Sequence, residues 1–148
     1  MRRRLAAGAL AAAFALSACA SAPAEGGSAA AAAGLSLVRL GEEVRLGGLG
    51  VRALRLVEDS RCPAGVQCIH AGTVRLAVRL SEAGARRETI LNLNEPAPLA
   101  GGRSLRLVAV CPATWAPGMR PPERAYSFLI AAGPQGAEAP PQRPCGPT

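Results

Sequence analysis

The stretch from Val74 to Leu80 alternates with period two: Val74, Leu76, Val78 and Leu80 are apolar, and Arg75 and Arg79 fall between them. An extended chain sends successive side chains to opposite faces, so this pattern predicts a strand with one face in a core and one in water. Similar short runs occur at 35–40, 43–46, 51–57, 88–93, 105–110 and 125–130. Gly, Pro, Asn or Ser separate most of them, as at Gly47-Gly48, 62–65, 81–84, 94–102 and 112–122. No segment carries a long apolar stripe at helical spacing with caps at its ends. About seven strands at such intervals predict an all-β domain, a small antiparallel β-sandwich or barrel, with helix confined to a short turn in a loop. Two connections are long. One spans 60–72; the other spans 111–124 and holds Pro112, Pro117, Pro121 and Pro122 with Trp115 and Met119. Long ordered loops on a rigid sheet are where binding surfaces commonly lie.

The chain begins differently. Arg2, Arg3 and Arg4 precede an apolar run from Leu5 to Leu16, which ends in Leu16-Ser17-Ala18-Cys19. A cationic start, a short apolar run and a small-residue end follow the order of a secretory signal peptide. The run falls short of the about 20 residues that a membrane-spanning helix needs. Leu16-Ser17-Ala18-Cys19 resembles the lipobox of bacterial lipoproteins, which implies cleavage after Ala18 and transfer of diacylglycerol to the Cys19 thiol. A buried methylene contributes about 0.8 kcal/mol and one acyl chain binds only marginally. Lipoproteins of this kind carry more than one chain, so the resemblance implies a stable anchor. Residues 1–18 are then the signal peptide, and 19–34 are the lipidated cysteine with a flexible tether of Ala, Gly, Ser and Pro. The expected location is the bacterial cell envelope. Ala20 and Ser21, with no Asp at position 20, resemble the pattern of outer-membrane sorting, with the domain facing the periplasm if the host is Gram-negative.

That division leaves 35–131 for the β domain and 132–148 for a tail rich in Pro and Gly. A domain this small can fold alone, but on a modest core. All 17 basic residues are Arg, and removing Arg2, Arg3 and Arg4 lowers the formal charge from +7 to +4. We read the arginine excess as genome composition displayed on a solvated surface. With aromatics at 3%, the chain lacks the stacking platforms that hold single-stranded bases, and nucleic acid is not an expected partner. With Cys19 committed to lipid, Cys62, Cys68, Cys111 and Cys145 remain, an even number suited to an oxidising compartment. Three pairings are open. Cys62–Cys68 is the local choice, and Cys111–Cys145 then follows by subtraction. In the chain-entropy model the short loop contributes roughly 2.4 kcal/mol and the long one roughly 3.8 kcal/mol. The second bond would tie the tail to the domain.

The densest chemistry lies around Cys62: Glu58-Asp59-Ser60-Arg61-Cys62-Pro63, then Val66-Gln67-Cys68-Ile69-His70-Ala71-Gly72. Asp59 is the only Asp in the chain. Set where a strand gives way to a loop, its carboxylate can accept loop amide protons in an Asx-type turn or pair with Arg61, and Ser60 can cap more weakly. Pro63 stiffens the loop start, and Gly65 and Gly72 permit turns. This structural account covers every one of these residues. Beside it stands a candidate binding surface made of Asp59, Ser60, Arg61 and His70, with Trp115 from the Pro-rich loop. The segment resembles a family of small, uncharacterised bacterial lipoproteins whose shared stretch reads roughly Asp-Ser-Arg-Cys-Pro, a short gap, Val-x-Cys-Val-Trp-Ala-Gly, then a strand. A weaker likeness covers 105–112 and 123–130, and the whole spans most of 51–130. The resemblance implies a lipid-anchored β domain and no particular activity. Two departures stand out. His70 occupies the position of the family's Trp, and Cys111 that of a small polar residue before Pro. Cys145 is a second added cysteine, and the two additions together favour a bond between them.

The sequence assembles no catalytic set. Ser60 with His70 as base, oriented by Asp59 or Glu58, completes the inventory of a hydrolase but not its geometry. Cys62, Cys68 and His70 offer two sulfurs and a nitrogen to a metal, with Asp59 adding oxygen. Yet Cys-x5-Cys-x-His is an uncommon zinc spacing, and thiols in an oxidising compartment tend to form disulfides. The loop Pro63–Gln67, closed by a disulfide, has the preorganisation of a protease-inhibitor loop. The expectation is therefore a non-enzymatic binding or structural module, with no catalytic residues, metal or cofactor. Its expected partners are the membrane, through the N-terminal lipid, and an envelope protein or polysaccharide. It is expected to be a monomer.

Overall fold

The computed structural model describes residues 34–138 and Cys145. The signal peptide at 1–18, the lipidation site Cys19 and the tether up to residue 33 lie outside the described residues, as does most of the tail from 139. Eight strands succeed one another: β1 (Leu35–Arg39), β2 (Glu43–Leu46), β3 (Leu49–Asp59), β4 (Val74–Glu82), β5 (Ala85–Asn92), β6 (Pro96–Leu99), β7 (Arg103–Cys111) and β8 (Ser127–Pro134). They form two four-stranded sheets, ordered β1-β8-β7-β6 and β2-β3-β4-β5, with antiparallel neighbours throughout. The domain is an all-β sandwich rather than a barrel.

The core lies between the sheets, where the alternation places it. Val74, Leu76, Val78 and Leu80 of β4 are buried and meet Leu105, Leu107, Phe128 and Ile130 of the other sheet in one cluster. Each such side chain removed from water contributes about 1.5–3 kcal/mol, which is how so short a chain sustains two layers. The chain passes between sheets after Asn92: the Leu93 amide donates to Val74 O at 2.9 Å and the Asn94 amide to Leu107 O at 2.8 Å. Between β2 and β3 the turn is Gly47-Gly48, with φ of 55° and 85°. A two-residue hairpin turn with both φ positive matches strand twist, and only residues without a Cβ adopt it without cost.

β3 departs from simple alternation in a useful way. Strict period two from Val51 would send Arg55 into the core. Register shifts between Ala53 and Arg55 and between Leu56 and Glu58 prevent this. Bulges of this kind add a residue to one strand and re-aim the side chains beyond it. Arg55 therefore stays exposed opposite Ala77, Leu56 packs against the core, and Asp59, opposite Val74, is buried.

The eighth strand, β6, falls in the stretch read as a connection at 94–102. Pro96 and Pro98 argue against a central strand, but β6 is an edge strand paired only with β7, where missing amide donors are tolerated. β5 begins at Ala85, earlier than the run at 88–93, because the consecutive charges of Arg86 and Arg87 hide its start. β8 continues through Pro134, past the boundary drawn at 131, pairing with β7 as far as Arg103. The one helical element among the described residues is a single 3₁₀ turn at Glu123–Ala125, in a loop. Both disulfides of the favoured pairing are present, Cys62–Cys68 and Cys111–Cys145.

Candidate functional site

The long loops 60–73 and 112–125 leave the ends of β3 and β7 and are bound to one another by one buried cluster. At its centre is Asp59, whose side chain is fully buried. Oδ1 accepts from the Arg61 amide at 3.2 Å and from Arg61 Nε at 2.9 Å. Oδ2 accepts from Arg61 Nη2 at 2.8 Å and from the Tyr126 hydroxyl at 2.9 Å. Two hydrogen bonds accepted on each oxygen saturate a carboxylate. Asp59 therefore has no lone pair left for a metal, a substrate proton or a ligand amide.

Arg61 is also nearly enclosed, with 12% of its side chain exposed. Its fork meets Asp59 bidentately, and Nη1 donates to Val110 O at 3.2 Å, Pro112 O at 3.0 Å and Ala113 O at 3.2 Å. Its guanidinium carbon lies 5.2 Å from the centre of the Trp115 ring, and that of Arg120 lies 5.5 Å away. Such contacts add a cation–π attraction to the packing. Arg120 Nη2 in turn donates to the backbone carbonyl of Asp59. One arginine thus joins the end of β3, the end of β7 and the Pro-rich loop. A lysine could not do this, lacking the planar fork.

Electrostatics follow the geometry. Burial by itself pushes the Asp59 carboxyl up. The hydrogen bonds from Arg61 and Tyr126 and the Arg61 charge outweigh it, and hold the group below its usual range. Burial pushes the Tyr126 phenol up, and the adjacent Asp59 carboxylate pushes it further. Asp59 is an anion in the folded protein and Tyr126 a neutral donor.

The base of the disulfide loop is closed separately. The Ser60 amide donates to Thr73 O at 2.9 Å, and the Thr73 amide donates to Ser60 Oγ at 3.0 Å. Ser60 Oγ also donates to Glu58 Oε1 at 3.1 Å. Gly72 runs so close to this turn that a Cβ there would lie 1.7 Å from Ser60 O. The Ala64 amide donates to Trp115 O at 2.8 Å, tying the disulfide loop to the Pro-rich loop a second time.

Of the five residues proposed as a binding surface, Asp59, Arg61 and Trp115 converge, but on one another. Ser60 sits at the loop base. His70 is exposed beyond Cys68 and makes no hydrogen bond or ion pair among the described residues, so none joins it to Ser60. With Cys62 and Cys68 bonded to each other, neither sulfur is a thiolate donor to a metal. Among what the two loops present to solvent are three large apolar side chains, beside polar ones such as Gln67, His70 and Arg120: Ile69 is 94% exposed, Met119 71% and Val66 44%. Sequence reasoning missed Tyr126 and Arg120. Tyr126 had a signal, being the chain's only Tyr, because a buried phenol needs an acceptor and the only Asp supplies one. No family model, no curated protein and no solved structure matches this chain.

Proposed function

We propose that the protein is a lipid-anchored component of the bacterial envelope whose β domain is a non-enzymatic binding module, with its contact surface on the disulfide loop and the Pro-rich loop. The observation that carries this reading is the Asp59–Arg61–Tyr126–Trp115 cluster. It holds two long loops in fixed relation while leaving Val66, Ile69, His70 and Met119 outward. Loops ordered before binding lose less entropy on contact, and Val66, Ile69 and Met119 on these loops expose apolar area that a partner would bury. The partner class that fits is another envelope protein with an apolar patch. The lipobox-like Leu16-Ser17-Ala18-Cys19 and the family resemblance of 59–72 support the anchor.

Two experiments test the proposal. A photo-crosslinking residue at Ile69 in intact cells is expected to trap a discrete adduct, and the same residue at Ile90, on the outer sheet face, is not. Equal or absent adducts at both positions would reject the loop surface. Cys19→Ser is expected to abolish incorporation of radiolabelled fatty acid and to release the protein from membranes; retention of label would reject the anchor.

A further inference from the structure

The outer face of the β2-β3-β4-β5 sheet collects arginines that the sequence scatters. Cross-strand register aligns Glu43, Arg52, Arg79 and Glu88 in one row over the four strands, and Arg45, Gly50, Ser81 and Arg86 in the next. These rows border an open cleft of about 530 Å³. Gly50, in the second row, is buried beneath two lining side chains: a Cβ there would lie 2.3 Å from Ser81 Oγ and 2.9 Å from Glu43 Oε1. Arg52 and Arg79 stand directly opposite each other, an arrangement that costs stability between like charges. Arg79 is held by Glu88 at 2.8 Å. Arg45, Arg52 and Arg86 have no ion-pair partner among the described residues, and the Glu82 carboxylate is turned to Arg103 of the other sheet. The cleft therefore holds uncompensated positive charge on guanidinium groups suited to bidentate contact with carboxylate or phosphate.

We propose that this cleft binds an acidic glycan chain, through its carboxylate or phosphate groups at the arginines and its hydroxyls at Ser81 and Glu43. Three features select a glycan. The volume falls in the range of about 300–1,000 Å³ common to ligand pockets. Ala83 contributes the lining's only apolar side chain, so the cleft lacks both the apolar wedge of a membrane-surface helix and the aromatic anchors of a protein interface. Glu43 repels a bare anion but accepts hydroxyl protons, and a polyhydroxylated acid uses both kinds of group. The site is separate from the loop surface proposed above and stands without it.

Fluorescence anisotropy on the full-length protein in detergent, at low salt, tests the assignment. Labelled hexagalacturonate and a phosphorylated mannohexaose are the acidic probes, and labelled maltohexaose is the neutral one. Binding is expected for at least one acidic probe and not for the neutral one. Arg45→Glu and Arg86→Glu are each expected to weaken it at least fivefold. Arg124→Glu, an equal charge change on the exposed 3₁₀ turn, should leave affinity within twofold. Unfolding midpoints check that the variants are folded, and Arg52→Gln is the milder version should either charge reversal fail. Three results would overturn the proposal: acidic probes bound no better than the neutral one, Arg124→Glu as damaging as Arg45→Glu, or Arg45-dependent binding confined to vesicles containing phosphatidylglycerol.

Discussion

Asp59→Asn is the sharpest perturbation of the cluster, because it keeps the side chain's shape and removes its charge. In the native protein Arg61 is 12% exposed and its counterion fully buried, so solvent screens the pair little. Breaking a buried pair by removing one partner costs about 3–5 kcal/mol, mostly because the other charge is left uncompensated. Arg61 keeps its three carbonyl acceptors, which places the expected loss at the lower end, about 3 kcal/mol. In a domain of this size each kcal/mol moves the midpoint by roughly 4–8 °C, so Tm should fall by roughly 12–24 °C. Urea unfolding followed by circular dichroism, with both disulfides intact, measures the difference at neutral pH. The same difference has a pH signature. A carboxyl whose folded pKa is depressed stabilises fully above its unfolded value of about 3.9 and loses that contribution as pH falls through the folded value. Wild type should therefore approach the variant in acid, while above about pH 5 the gap stays constant. A variant within 1 kcal/mol of wild type at pH 7, or a gap that does not narrow in acid, would refute the structural role assigned to Asp59.

Tyr126→Phe removes a donor to a buried carboxylate and should cost about 1.5–3 kcal/mol by urea unfolding at neutral pH. Because the folded pKa of Tyr126 is raised, wild type should lose stability as pH climbs from about 10 through that value, and the variant should not show this loss. Gly72→Ala forces a Cβ into Ser60 O; a loss of about 2–4 kcal/mol is expected, with faster hydrogen exchange at the Ser60 and Thr73 amides. Replacing Cys62 and Cys68 together by Ser should cost roughly 2.4 kcal/mol, and replacing Cys111 and Cys145 roughly 3.8 kcal/mol, both read from denaturant midpoints. Ala83 sits at φ 48° in the turn between β4 and β5; Ala83→Gly relieves the left-handed strain and should raise stability by about 1 kcal/mol, and a destabilised variant would argue against that turn.

Alternation made the sandwich legible wherever a strand has one wet face. β4 shows it best, because its inward residues are all apolar and Arg75 and Arg79 mark the outside. It failed where local chemistry opposes pairing. The prolines of β6 read as punctuation, since nothing local distinguishes an edge strand from a linker. In β3 the two bulges break the period, so its inward positions Val51, Ala53, Leu56 and Asp59 keep no single spacing. The pairing of Asp59 with Arg61 was readable from adjacency along the chain. Its closure by Tyr126, at a separation of 67 residues, was not, because contacts across two sheets depend on register that only the assembled fold defines. The arginine cleft was hidden for the same reason: Arg45, Arg52, Arg79 and Arg86 belong to four different strands and meet only across the ladder.

The segment with the most functional groups is also the one with the fewest to offer. Asp59 has both oxygens saturated, Arg61 uses its fork and its remaining nitrogen internally, and the Ser60 hydroxyl is shared between Glu58 and Thr73. A catalytic group must keep at least one valence for the reacting atoms, and a metal ligand must keep a lone pair. Density of chemistry in a motif is therefore a poor guide to a site; unsatisfied capacity is a better one. By that measure the unused capacity of the described residues lies in two places. One is the exposed apolar side chains of Ile69, Met119 and Val66; the other is Arg45, Arg52 and Arg86, which have no ion-pair partner among the described residues. The two surfaces ask for different chemistry and respond to different perturbations. Salt should weaken binding at the cleft, where exposed charges are screened over about 10 Å at 0.1 M, and leave contacts at the apolar tips almost unchanged, because removal of apolar surface from water carries no charge to screen.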